Sequence, residues 1–566
     1  MPPKSAGGLG GAASFTISDH SDSEANHQGE AMRFKTLLAL SAVAMLAAAC
    51  SRTESPVTYE MQPLVKGGSK FHGVHGLRFD NDDTLYAVSV IGQSRFKVNT
   101  KTGQVETVQG PPEGMADDLA IGPDGTFYWT AIEDGILYAQ TPGGPIRKLW
   151  ENQRGLNAIS FTRDGKRLFV TLVFYGDALY EIDLTGAKPP RLVVDKPGGL
   201  NAFEIGDDGM IYGPLVFGHR IVKINPDTGA MTTVTDEVKD PGALKLDFKG
   251  SAFALNNDTE LWKIDLKTGK AALFAKLPAG ADNLDLDSHG NIFVSLSQTN
   301  AIVEVDAATA AIRYVVEPAS LTSATGLSVQ TQDGKDTVYL GDLFGGVKRI
   351  DGTGATEKTP VNIFQPAHVS TTNDHLVAVG QVFGVIQLLD RKTFEVLGNW
   401  GKFDSPGDAL EGPNGTVIVA ETGSGRLLRV TGPEVADRQV IAENLQGPIG
   451  LAWAGADAVY VTESIGGRVT RIALADGAAT PVAQGLAQPE GIAVDADGSL
   501  LVVEVGAKQI KRLNAQSGEA AVIAANLPIG LSNGPSLYRS VAVSPSAIYF
   551  NSDVDNSVYK LVPKRP

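Results

Sequence analysis

The sequence predicts an all-β chain folded as two six-bladed β-propellers in tandem. Three observations carry that expectation. Short runs of β-branched and aliphatic residues recur between Gly, Asp and Asn turns. The four-run unit repeats about every 40 residues, the period of a propeller blade. Glycine supplies 64 of 566 residues, above the usual ~7%, as a fold rich in tight turns requires.

Residues 488–523 show the unit most clearly. A strand over Gly491–Val494 stops at the turn Asp495-Ala-Asp-Gly498. The runs SLLVVEV, QIKRLN and EAAVI follow, the last after Ser517-Gly518. Laid along the chain, the unit places inner strands near Gly76, Asp118, Ala158, Ala202, Ala243, Asn283, Gly326, His368, Asp408, Gly450, Gly491 and Ser540. About twelve blades exceed the 4 to 8 of one propeller. A division near 318–324 gives a first propeller over 58–320 and a second over 321–566. The chain ends on SVYKLV, a third strand without a fourth, while TYEMQPLVK at 58–66 has no blade of its own. Pairing the two would complete the last blade and remove an exposed edge.

The first 49 residues carry no blade. Residues 1–31 are Gly-, Ser-, Ala- and acid-rich, a composition that predicts disorder. From Met32 the chain reads MRFKTLLALSAVAMLAAAC, a basic start and a short apolar run of the secretory-signal type. Cys50 is the single cysteine, so a disulfide within the chain is excluded. Ala47-Ala-Ala-Cys50 resembles the lipobox of bacterial lipoproteins. That resemblance implies a lipid-modified Cys50, a tether over 50–57 and a place in the cell envelope, on the periplasmic side of the outer membrane. Cleavage at Ala-x-Ala, releasing a soluble secreted chain, is the alternative, and translation starts at either Met1 or Met32.

The formal charge of −16 argues against nucleic acid as a partner and favours cations. The sequence has no Gly-x-Ser-x-Gly, no P-loop and no His-Glu-x-x-His, so it offers no support for serine-elbow, nucleotide or zincin chemistry.

In a blade meander, the start of the inner strand and the loop leaving the second strand share one face. In the first half that position holds His75, Asp117, Asn157, Asn201, Gly242 and Asp282, with Asn283 beside Asp282. Asp and Asn oxygens around one axis suit a hard cation such as Ca²⁺; the same residues also favour turns on their own account. The second half has Thr325, Ala367, Gly407, Ile449, Glu490 and Arg539 there, and its second strands leave on Asp342, Gln381, Glu421, Glu463, Glu504 and Asp553. Those acids must be spread out, hydrogen-bonded to nearby loops or neutralised by a cation. His75, and His219 on a loop of the same face, are candidate general bases.

Asn157-Ala-Ile-Ser-Phe and Asp282-Asn283-Leu-Asp-Leu-Asp resemble strand starts of the regucalcin/gluconolactonase family, and with Asn201 and His75-Gly76 they are similar to paraoxonase-type lactonases. The resemblance implies a six-bladed propeller with a catalytic divalent cation, acting on a small-molecule lactone or ester. Carried over, Asn157, Asn201, Asp282 and Asn283 are metal ligands and Asp117 adds an oxygen; Asp282 or His75 then moves the proton, with His219 a further candidate from its place on the same face. Gly242 interrupts the family's run of ligand blades, and His75 stands where the family has Glu. Gln488-Pro-Glu-Gly-Ile-Ala-Val-Asp and Ala420-Glu-Thr-Gly-Ser-Gly resemble NHL-repeat and streptogramin-lyase propellers. Two further functions therefore stand beside a metal-dependent hydrolase: a non-catalytic binding lipoprotein, and a C–O lyase.

Overall fold

The computed structural model describes residues 58–564, except 364, 433 and 532–537. Cys50, the leader and the tether lie outside the described residues. Twelve antiparallel sheets of four strands each make up the fold. We number them as blades 1–12 and letter the strands A to D outward from the axis. Blade 11 is representative: Pro489–Val494, Leu500–Glu504, Gln509–Leu513 and Ala520–Ala524. Strands A to C are mostly buried, whereas strand D alternates towards solvent, as in Val105–Gln109 of blade 1.

The hydrophobic core is a series of layers between adjacent blades. Between blades 5 and 6, Ala243, Phe253, Leu255 and Leu261 meet Leu284, Ile292, Val294 and Val303. No single centre holds the chain, because each sheet buries both faces against its neighbours. This is why period-2 alternation is weak in the inner strands and their sequences read as continuous apolar runs.

Two closures divide the blades into rings of six. Blade 6 returns to blade 1, where Phe79 N–H donates to Asp285 Oδ2 at 2.7 Å. Blade 12 returns to blade 7, where Leu327 N–H donates to Ser540 Oγ at 2.7 Å. Strand Tyr59–Val65 pairs antiparallel with Ser557–Pro563, from Tyr59 opposite Pro563 to Val65 opposite Val558. It is thus strand D of blade 12, in a sheet with Val541–Val543 and Ile548–Ser552. The chain starts in the second ring, builds the first, and crosses back between Val316 and Ala324.

The glycine of the C–D turn explains how blades seat on one another. Gly103 has φ +73°, and a Cβ there would lie 2.4 Å from Val315 O in strand D of blade 6. Gly354 has φ +91°, and a Cβ would lie 2.1 Å from Leu64 O of the N-terminal strand. Gly229, Gly269, Gly477 and Gly518 meet the preceding strand D in the same way. Each turn rests on a neighbour's backbone, which only glycine permits.

A chain beginning at Gly67 removes strand D of blade 12. Amide exchange should then accelerate across Ser557–Pro563 and Ile548–Ser552, with blades 2–5 still protected. Hydrogen-exchange mass spectrometry checks this; undiminished protection of Ser557–Pro563 would show that the seam does not need the strand.

Candidate functional site

Each inner strand of the first ring starts with two residues opposite one. His75 N–H and Gly76 O both bond Val88, and Asp117 N–H and Asp118 O both bond Thr130. The register shifts between Leu156 and Ile159, Pro241 and Ala243, and Ala281 and Leu284. Such a bulge re-aims side chains: residues i and i+3, rather than i and i+2, face the axis. The residue between them turns to the neighbouring blade.

The mouth layer is formed by the first bulge residue of each blade. His75 lies between Asp282 of blade 6 and Asp117 of blade 2. His75 Nδ1 is 3.4 Å from Asp282 Oδ2, with side chains 15% and 37% exposed, so the pair is reachable from solvent. Burial opposes charge on His75, but the attraction of Asp282 and then Asp117 outweighs it, and the imidazole is raised above its usual 6.5. Its Nε2 is buried without a protein partner. Burial pushes Asp117 up to about 7; His75 opposes this, while Asp282, Asp118 and Glu133 add to it. Asn157 is buried, and Asn201 Nδ2–H donates to Gly242 O at 3.0 Å.

The second bulge residue has a different task. Asp118 accepts from Leu119 N–H at 2.9 Å and from Ile159 N–H of blade 3 at 3.3 Å. Asn283 Oδ1 accepts from Leu284 N–H at 2.8 Å, so it is engaged with its own strand instead of the mouth.

Three positions further along each strand lies a layer that the spacing of the mouth residues did not single out. Lys245 Nζ is 3.2 Å and Arg78 Nη1 3.7 Å from Glu204 Oε2, and Arg78 is 3.9 Å from Asp285 Oδ1. Ser160 Oγ–H donates to Glu204 Oε1 at 3.3 Å. Burial alone would raise Glu204, but Lys245 and Arg78 hold it below its usual value. This buried ion network floors the mouth. Its signal was in the sequence, as opposite charges at i+3, but reading it required the bulge.

The rim is partly apolar. Phe174 and Phe217, on loops leaving strand B of blades 3 and 4, are 62% and 54% exposed and meet edge to face at 6.0 Å. From the second ring, Phe344 sets its edge on His75 at 5.5 Å. His219 stands apart: its side chain is 65% exposed and its Nδ1 lies 2.6 Å from Asp240 Oδ1.

The oxygens of Asp117, Asn157, Asn201 and Asp282 are of the type Ca²⁺ takes. As arranged they do not form a cage for it. Asp282 is turned to His75, Asn283 is bonded to its backbone, and among the described residues no three His, Cys, Asp or Glu converge closely enough to hold a metal.

The second ring has a filled channel. A Cβ on Gly326 would lie 2.5 Å from Tyr538 Cδ1, and one on Gly450 2.7 Å from Tyr538 Oη. The tyrosine therefore crosses the space two glycines leave. Arg539, fully buried, pairs with Glu490 at 3.2 Å and Asp553 at 2.9 Å. His368 Nε2 is 3.2 Å from Asp408 Oδ1, yet burial lowers His368 to about 3 and raises Asp408 to about 8. We read this contact as a neutral hydrogen bond.

The acids ending strand B are accounted for by protein donors. Asp342 accepts from Thr322 and Ser323 N–H, Glu421 from Asp404 N–H, Glu463 from Gln446 N–H, Glu504 from Ala487 N–H, and Asp553 from Gly530 and Leu531 N–H. Each ties the end of strand B to the loop entering its own blade.

The fold is that of a double six-bladed propeller. No known family profile matches the chain, and no curated protein matches it. Among solved structures it is similar to the extracellular domain of the putative one-component system BT4673 from B. thetaiotaomicron, with TM-score 0.32 and 10% identity over 90% of this chain and 83% of that one. The same domain described as part of a putative hybrid two-component system gives TM-score 0.31 and 10% identity over the same shares. Among the described residues no helix is long and apolar enough to cross a membrane.

Two titrations test the mouth. Asp282→Asn removes the main attraction on His75 and leaves burial dominant, so the His75 pKa should fall below 6.5 in an NMR ring-proton titration; an unchanged value would mean the two side chains do not interact. Asp117 holds its proton to about 7 when folded, against 3.8 otherwise. The folded chain thus binds more protons between those values, and stability falls as pH rises through that window. Asp117→Asn should raise the Tm at pH 8 and leave it nearly unchanged at pH 4.

Proposed function

We propose that the mouth of the first propeller hydrolyses a small lactone or ester. The observation supporting this reading is the placement of His75 between two carboxyl groups. Asp282 Oδ2 faces His75 Nδ1, with its side chain 37% exposed, and burial pushes Asp117 up to about 7. An imidazole raised above its usual 6.5 beside a carboxyl that keeps its proton to near neutrality suits one base and one acid.

With Asp282 holding the proton on Nδ1, Nε2 of neutral His75 is the base. Water forms the new bond to the carbonyl carbon and gives its proton to Nε2. The acyl C–O bond then breaks, and the leaving oxygen takes the proton of Asp117. Asn157 orients the carbonyl, and Phe174 and Phe217 give the apolar part of the substrate a surface. The regucalcin/gluconolactonase resemblance favours the same reaction class, and the signal-like leader with Cys50 supports a site of action in the cell envelope.

A cation-dependent form of this reaction is the second reading. It is favoured by the negative charge of Asp282 and Asp118, which adds to burial in raising Asp117 and which a divalent ion would relieve. Asp117, Asn157, Asn201 and Asp282 would hold the ion after Asp282 turned away from His75.

His75→Gln and Asp117→Asn should each lower kcat on a lactone and aryl-ester panel by about 10²–10⁴-fold. Wild-type turnover that both variants retain, or a wild-type chain inert on the whole panel, would sink the proposal and leave the binding-protein reading. Solvent ¹⁸O in the product separates hydrolysis from the elimination a lyase performs. If calcium is resident, adding it should lower the His75 pKa, because Asp282 leaves the ring; a pKa indifferent to calcium excludes the cation-dependent form.

A further inference from the structure

The connector 66–75 runs from the N-terminal strand of the second ring to blade 1 of the first. Two equivalent asparagines clamp it, one from each ring. Asn300 of blade 6 and Asn556 of blade 12, with φ +52° and +54°, donate through Nδ2 to Phe71 O at 2.8 and 2.6 Å. Gly73 N–H returns a bond to Asn300 Oδ1 at 2.7 Å. Beside the clamp lies a cleft of about 590 Å³ walled by both rings. It is separate from the mouth at His75.

His72 reaches this cleft with one nitrogen fixed and one free. Its Nε2 lies 2.7 Å from Asp553 O, a group that only accepts, so Nε2 carries the proton. Burial lowers the ring's affinity for a second proton, against hydrogen bonding to the Asp553 and Lys70 backbones and the charges of Asp553 and Asp555. Nδ1 is therefore an acceptor. The residue is 3% exposed and Nδ1 has no protein donor. Asp555, which also lines the cleft, accepts from Tyr559 Oη–H at 2.6 Å through Oδ2, while its buried Oδ1 has no donor.

Two unsatisfied acceptors call for a ligand that donates hydrogen bonds. Lys66 and Lys70 line the same cleft, and their charge disfavours a cation. The acceptors disfavour an anion. A hydroxyl does both jobs: it donates to His72 and Asp555 and accepts from lysine. Pro111, Val554 and Tyr559 add apolar lining for the C–H faces of a ring. We propose that this cleft between the propellers is a binding site for a neutral carbohydrate, and the volume lies within the range of small-molecule sites.

Calorimetric titration of the purified chain with glucose, N-acetylglucosamine, maltose and cellobiose tests the site, with inorganic phosphate as the competing anion. At least one sugar should bind, and Asp555→Ala should weaken it about tenfold, the effect of ~1.4 kcal/mol. His72→Gln, whose amide can still donate to Asp553 O and still present an acceptor, should keep most of the affinity. In wild type, the ¹⁵N signal of His72 Nδ1 should shift on sugar addition. Circular dichroism of each variant checks that the fold is intact. No binding by any of the four sugars at 20 mM would overturn the proposal. So would phosphate binding that excludes sugar, or sugar binding that leaves the Nδ1 signal unmoved. Hydrolase assays at the mouth are a separate readout, so failure of one site is distinguishable from failure of the other.

Discussion

The two-against-one pairing at the start of each inner strand is the constraint on which the rest of the first propeller depends. Without it, alternate residues would face the axis, and His75 and Arg78 would lie on opposite faces. With it, each strand contributes one side chain to the mouth and another, three positions on, to the floor. The intervening residue is freed to tie blades together, as Asp118 does to Ile159. Exposed titratable groups thus sit directly above a buried ion network. The floor's side chains are largely buried and paired with one another, and such low-dielectric surroundings strengthen electrostatic effects in the mouth.

Much of the fold was legible because propellers repeat. Asp-Gly and Thr-Gly punctuation and apolar runs of 4 to 7 residues were enough to find the blades and to see that Tyr59–Val65 lacked neighbours. The positions of His75, Asp117, Asn157, Asn201 and Asp282 on one mouth also followed from that spacing. Their orientation did not. Asp282 turns to His75 and Asn283 to the backbone of Leu284, and those choices depend on local hydrogen-bond competition, which residue type alone does not determine. The floor was hidden for a different reason: Arg78, Glu204 and Lys245 look like ordinary strand residues until the bulge sets the offset.

The two rings use the same scaffold differently. In the first, ions fill the lower channel and leave the mouth polar. In the second, Tyr538 and buried Arg539 occupy the centre, and the row of acids at the ends of strand B binds backbone N–H groups. Those acids stabilise the blades by satisfying loops that would otherwise bury unpaired donors. Lys348, Arg426, Arg468, Lys511 and Arg539 add an ion pair at each of the five. This accounts for a strongly acidic pattern without a ligand. The second ring nevertheless reaches the first ring's mouth through Phe344.

The N-terminal strand has a consequence for the order of assembly. Its partner is Ser557–Pro563: Gly67 and Ser557, which bond at this seam, are 490 residues apart. Contacts of such separation form late and slowly. During synthesis Tyr59–Val65 must wait, unpaired, until Ser557–Pro563 has emerged, while the first ring already has every strand it needs. The second ring acts as a checkpoint on completeness, since a chain released early can finish one propeller but never the other.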